Sequence, residues 1–133
     1  MATAFDVILV TPEREVWSGR ATLVVARGTE GEVGILAGHA PMLIELSISP
    51  LFITTESGER LAAAVDAGFL HVVSEGMDTR VDVLAEHAEL ENEIDLDKAR
   101  RQKEEAERRI QERDNGAALA LLAKAQVRLD LRG

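Results

Sequence analysis

Residues 31–43, GEVGILAGHAPML, hold the most chemically suggestive grouping in the chain: three glycines, a histidine next to an Ala-Pro pair, and a glutamate near the entrance. A glycine-rich run can cradle phosphate, because backbone N–H groups unshielded by side chains converge on an anion. The spacing denies that chemistry here. Gly31, Gly34 and Gly38 stand as G-x-x-G-x-x-x-G, which matches neither the dinucleotide fingerprint nor the Walker loop, and no Gly-Lys-Ser/Thr follows. His39, His71 and His87 lie singly in separate segments and offer no metal-ligand spacing. The acidic run ELENEIDLD at 89–97 lacks the central glycine of a calcium loop and reads as a solvated hinge. Carboxylates are abundant, but no pair is marked as converging and no nucleophile motif accompanies them. What remains for 31–43 is a sharp reversal between strands, with Pro41 fixing its own φ and pressing Ala40 into an extended conformation.

The elements that must carry this reversal fall into two groups. From Ala4 to about Ala88 the pattern is short β-rich runs, FDVILV, REVWS, ATLVVARG, MLIELSI, LFITT, RLAAAVDAGFLHVV and TRVDVLAE, separated by turn formers. Many short strands at such spacing predict a sandwich or barrel. Val81, Val83 and Ala85 alternate with Asp82 and Leu84, as a half-exposed strand requires, whereas FDVILV is apolar almost throughout and reads as more central. SGER and SEGMD place Gly58 and Gly76 at two hairpin tips.

From Ile94 onward the composition turns to Ala, Glu, Arg, Lys and Leu, the strong helix formers. Two helices are expected, the first capped by Asp95, with the second following a break at Asp114-Asn115-Gly116. Leu96, Ala99, Ala106 and Ile110 on the first, and Ala118, Leu121, Leu122, Ala125 and Leu129 on the second, form narrow stripes suited to a close antiparallel hairpin. Such stripes cannot build a core of their own, so the hairpin must pack on the β-domain or on another protein. The division is therefore residues 1–88 as a β-domain and 89–133 as a helical hairpin with an acidic hinge at its start.

Charge follows the same division. The net charge of −9 and the 3% aromatic content exclude the basic, stacking surface of a nucleic-acid binder. Residues 1–93 carry 5 Lys and Arg against 16 Asp and Glu, a net −11, whereas residues 94–133 carry 10 against 8, a net +2. The absence of cysteine rules out disulfides and thiolate metal sites. No apolar run approaches the roughly 20 residues that span a bilayer, and no basic n-region with an apolar h-region opens the chain, so it is expected to be soluble and untargeted.

GTEGEVGILAGHAPML, followed by DAGFLHVV and VDVLAEHAE, is very similar to the epsilon subunit of F-type ATP synthases, called delta in mitochondria. The resemblance extends over nearly the whole chain, including the order of β-domain then hairpin; it departs at Asp66-Ala67-Gly68, where the family often has a Gly-Gly pair. It implies a flattened β-sandwich of about ten strands and a carboxyl-terminal antiparallel two-helix hairpin. It further implies a non-catalytic rotor subunit at the foot of the central stalk, binding the gamma subunit and the c-ring, peripheral on the cytoplasmic face of a bacterial plasma membrane without inserting into it. The hairpin would fold on the sandwich or extend along gamma toward the alpha and beta subunits and restrain ATP hydrolysis.

Residue by residue, the resemblance places Glu32 against the c-ring and the corner Gly38, His39 and Pro41 near gamma and the rotor base. For His39, a corner histidine bonded to backbone is the other reading. Arg100, Arg101, Arg108, Arg109 and Arg113 become a basic surface for an acidic catalytic subunit, or simply a solvated helix face. No cofactor is expected, ATP being at most a weak regulatory ligand. A nucleotide motif of some bacterial members is matched at Ile94, Asp95 and Ala99, with Lys98 in place of arginine and Lys124 and Arg128 at the basic positions of the second helix, while Glu105 would repel phosphate. The alternative to the rotor reading is a free-standing β-sandwich binding module or small enzyme with a helical tail.

Overall fold

The computed structural model describes residues 2–112 and 115–133. Seven strands come first: β1 (Phe5–Val10), β2 (Glu15–Gly28), β3 (Gly31–Ile35), β4 (Met42–Thr55), β5 (Arg60–Glu75), β6 (Asp78–Ala85) and β7 (Ala88–Leu90). A 3-10 turn at Glu91–Glu93 leads into helices α1 (Leu96–Gln111) and α2 (Asn115–Arg132). Neighbouring strands run in the order β1-β6-β5-β4-β2-β3, and β1 also pairs with β2, so the sheet closes on itself as a flattened barrel. The β1–β6 pairing is parallel, and the other pairings are antiparallel.

The strand count is seven where about ten were expected, because three strands are long enough to serve both layers. REVWS and ATLVVARG are one strand of 14 residues, running through Gly19, over which the Trp17 ring lies. MLIELSI and LFITT likewise form a single strand through Pro50. A proline lacks the N–H that a central strand must donate. Here the β2–β4 ladder shifts register between Val25 and Gly28, so Pro50 falls in the interruption, where the Ser47 and Ser49 hydroxyls donate to the Arg27 carbonyl instead.

Residues 31–43 are only partly the expected reversal. Gly31–Ile35 is itself a strand, hairpinned on β2, and the bend is confined to 36–41. The turns at Gly58 and Gly76 occur as expected, both at positive φ. In β6, Thr79, Val81, Val83 and Ala85 point inward. The acidic stretch at 89–97 is not a free hinge: it begins inside β7, which pairs with Ala63–Val65 of β5.

Among the described residues the main core consists of sandwich residues alone, with Phe5, Leu9, Ile35, Leu51, Ile53 and Leu70 the largest fully buried side chains. Burying side chains of this size contributes roughly 1.5–3 kcal/mol each. The helical hairpin adds a separate thin seam of Ala99, Ala106, Ala118 and Ala125. Asp95 caps α1, its carboxylate accepting from the Lys98 amide. Gly116 lies in the first turn of α2 rather than ending α1, whose last turn closes at Glu112. Arg113 of the expected basic surface, and Asp114 of the expected break, lie outside the described residues.

Candidate functional site

Two surfaces stand out once the strands are in register. The first lies on the outer face of β4, β5 and β6. Strand alternation puts Leu70, Val72, Val81 and Val83 inside, and so turns Phe69, Val73 and Leu84 outward together with Leu43 of β4. Phe69 sits directly opposite Leu84, and Leu43 opposite His71, so these side chains form one cross-strand patch. Leu43 is 66% exposed and Leu84 51%. Leu36 and Met77, from the adjoining turns, are exposed as well. On this face they are interspersed with Glu45, opposite Phe69, Asp82, opposite His71, and Arg80, opposite Val73, and large exposed apolar groups gathered with charges in this way mark a contact surface more often than they serve the isolated fold.

The Gly38–Pro41 corner is held by two hydroxyls from the inward-facing side of β5 and β6. The Gly38 N–H donates to Thr79 Oγ1 at 2.8 Å, Ser74 Oγ donates to the His39 carbonyl at 2.7 Å, and the two hydroxyls bond each other at 2.8 Å. Gly38 has φ +84, and a Cβ there would stand 2.8 Å from Met77 Sδ. His39 donates from Nδ1 to the Ala40 carbonyl at 2.8 Å, so its ring serves the backbone of the corner. Glu32 lies apart, exposed on β3 opposite Arg27.

The second surface is a cleft of about 780 Å³ between the sandwich and the hairpin. It brings together Asp95, Lys98, Ala99, Lys124 and Arg128 from the hairpin with Arg14, Asp66, Glu89 and Glu93 from the sandwich side. Ile94, beside them in sequence, is buried. Arg128 reaches across from α2: Nη1 and Nη2 donate to the two oxygens of Asp66 at 2.8 and 2.9 Å, and Nε donates to Glu89. Asp66 keeps 6% of its side-chain surface in water and Arg128 11%. Burial pulls the Arg128 value down, but the hydrogen bonds and charges of Asp66 and Glu89 outweigh it and hold the guanidinium above its ordinary value.

A second pair, Arg14 to Glu93 at 2.8 and 3.0 Å, ties the β1–β2 turn to the 3-10 turn before α1. Glu93 also accepts from the Leu90 amide. The Arg14 hydrogen bond holds the Glu93 carboxyl below its ordinary value against the opposing effect of desolvation. Neither Asp66 nor Arg14 was legible as a site residue, since their partners stand 62 and 79 positions away in sequence.

The expected basic surface of α1 is largely answered within its own helix. Arg100 pairs with Asp97, Arg108 with Glu105 and Glu112, and Arg109 with Glu105. Arg101 is exposed, with no ion pair among the described residues. Glu105, expected to oppose phosphate in the cleft, instead sits among these surface arginines and does not line the cleft.

Residues 4–91 match the family described as ATP synthase, Delta/Epsilon chain, beta-sandwich domain. The chain belongs to the ATP synthase delta/epsilon chain family. An ATP synthase epsilon chain of Streptomyces coelicolor is 46% identical over 106 residues, which cover 80% of this chain and 82% of that one. One of Streptomyces griseus is 42% identical over 129 residues, covering 97% and 95%. That second alignment takes in the hairpin as well as the sandwich. Among solved structures, a chain in the Euglena gracilis mitochondrial ATP synthase, with OSCP, F1 and c-ring, superposes with a TM-score of 0.73 at 24% identity, over 98% of this chain and 78% of that one. A chain of the Tetrahymena thermophila central stalk and c-ring gives 0.51 at 20% identity, covering 74% and 72%. These two show a shared fold. As an epsilon-type chain the protein is a structural component of its complex rather than a catalytic one. No helix among the described residues is long and apolar enough to cross a membrane.

Proposed function

We propose that this chain is a central-stalk subunit of a proton-translocating F-type ATP synthase, anchored to the gamma subunit by its sandwich. The observation that carries the reading is the outward face of β4, β5 and β6, where Leu43, Phe69, Val73 and Leu84 are exposed. Such a patch loses solvation cost on docking against an apolar partner face, at about 25 cal/mol per Å² removed from water. Glu32, on the exposed β2–β3 hairpin, is the residue assigned to the polar loops of the c-ring. Together these contacts would pass c-ring rotation to gamma from the cytoplasmic face of a bacterial membrane. Binding of this chain to purified gamma from the same organism, measured by calorimetry, tests the reading. We expect a one-to-one complex that Leu43→Glu with Phe69→Glu weakens at least about tenfold while circular dichroism stays unchanged. No complex with gamma, or one indifferent to both charges, would overturn it.

The hairpin is assigned a regulatory part: released from the sandwich, it would rise along gamma toward the alpha and beta subunits and restrain hydrolysis. Supporting this, the core owes nothing to α1 or α2, whose own buried seam consists of alanines. An element joined to its neighbour by side-chain fastenings rather than by a shared apolar core can change partners without unfolding the domain it leaves.

A further inference from the structure

The cleft between sandwich and hairpin is where a nucleotide would sit if the partial motif at Ile94–Ala99 were functional, and the residues present do not suit a phosphate chain. Of the five N–H donors on the Arg128 guanidinium, two are directed to Asp66, one to Glu89 and one to the Lys124 carbonyl. Arg14 is likewise forked onto Glu93. Asp95 spends its carboxylate on the α1 cap. The Lys and Arg side chains left for an anion are Lys98 and Lys124, which make no ion pair among the described residues and lack the planar fork that grips phosphate in two places.

We infer that Asp66 and Glu89 are built-in counter-anions occupying the position a phosphate group would fill, so that this hairpin closes on its sandwich without nucleotide. Asp66 is held in place by the fold itself. It lies where β5 passes from pairing with β6 to pairing with β7, and its amide donates to the His87 carbonyl at 2.8 Å while the Glu86 amide donates to the Ala67 carbonyl at 3.1 Å. Glu89 stands on β7, paired opposite Ala64. Both carboxylates belong to the sandwich and the guanidinium belongs to α2, so the three form a fastening between sandwich and hairpin. Removing one member of such a shielded group strands the charge of the others, which makes the fastening selective for the complete set.

Hydrogen exchange on the full-length isolated chain tests this. It reads closure directly and is indifferent to whether the hairpin brakes hydrolysis. With the wild type, millimolar ATP or inorganic pyrophosphate should leave exchange of the α2 amides unchanged. Arg128→Met should speed that exchange at least about tenfold with the β-sheet amides unaffected. In Asp66→Asn with Glu89→Gln, which frees the guanidinium, α2 should loosen and pyrophosphate should slow its exchange again. Protection of wild-type α2 by ATP would overturn the inference. So would unchanged exchange in Arg128→Met, or a failure of pyrophosphate to restore protection in the double variant. Should the double variant lose its sheet protection, the first two comparisons still decide.

Discussion

Gly68 lies so close to Leu84 that a Cβ added to it would collide with the Leu84 carbonyl oxygen. This is the point at which β5 crosses from one neighbour to the next, and its backbone is unusual at two successive residues: Ala67 has φ +69 and Gly68 φ +133. Gly68→Ala should therefore lower stability on the order of 3 kcal/mol, the sum of backbone strain and a clash with backbone that cannot swing aside. Denaturant unfolding measures it, and a loss under about 1 kcal/mol would contradict the geometry.

Ala67 supplies the opposite case. Its left-handed conformation costs an alanine roughly 1–2 kcal/mol that a glycine would not incur, offset in part by the greater freedom of glycine in the unfolded chain. Ala67→Gly is expected to stabilise the chain by about 0.5–1 kcal/mol, an uncommon sign for a substitution to glycine inside a strand. Thermal unfolding of the two proteins side by side checks it.

The sequence displayed both of these positions without displaying their geometry. Strand period, hairpin glycines and the Asp95 cap are local properties, and Val81, Val83, Gly58, Gly76 and Asp95 behave as local rules require. Pro50 misled because its ordinary role as a strand breaker is cancelled by a register shift that depends on β2 and β4 being neighbours, and Gly19 because the Trp17 indole lies over it within β2. Arg128 could be recognised as basic and well placed on α2, yet its carboxylate partners come from two other strands, and no spacing announces a contact 62 residues long. The exposed patch was hidden for a related reason: Leu43, Phe69 and Leu84 look like core residues until strand register fixes which side of the sheet each faces.

The Arg14–Glu93 pair predicts a pH dependence with a definite sign. Glu93 has its folded value depressed below its ordinary 4.5, chiefly by the hydrogen bond from Arg14. A depressed carboxyl stabilises the fold fully above its unfolded value, and that contribution is lost as pH falls through the lower folded value. The difference in melting temperature between wild type and Glu93→Gln should be full at neutral pH and should shrink progressively below 4.5. A difference that stays constant down to about pH 3 would show the pair to be without thermodynamic weight.

Because the core contains no residue of α1 or α2, a chain ending at Glu93 should retain β7 and fold cooperatively on its own. Its far-ultraviolet spectrum should be of β type, with a single unfolding transition. Loss of a cooperative transition would mean that the alanine seam and the Arg128 fastening carry more of the sandwich than the burial pattern indicates.

Anchoring by the sandwich and regulation by the hairpin, the two proposed roles, can be separated in one comparison. ATP synthase complexes assembled with the full chain and with the chain ending at Glu93 would be matched for subunit content, and ATP hydrolysis measured without detergent activation and at low membrane potential. Equal incorporation of the two chains is expected, with faster hydrolysis by the complex lacking the hairpin. Equal hydrolysis rates, or exclusion of a correctly folded truncated chain from the complex, would contradict it.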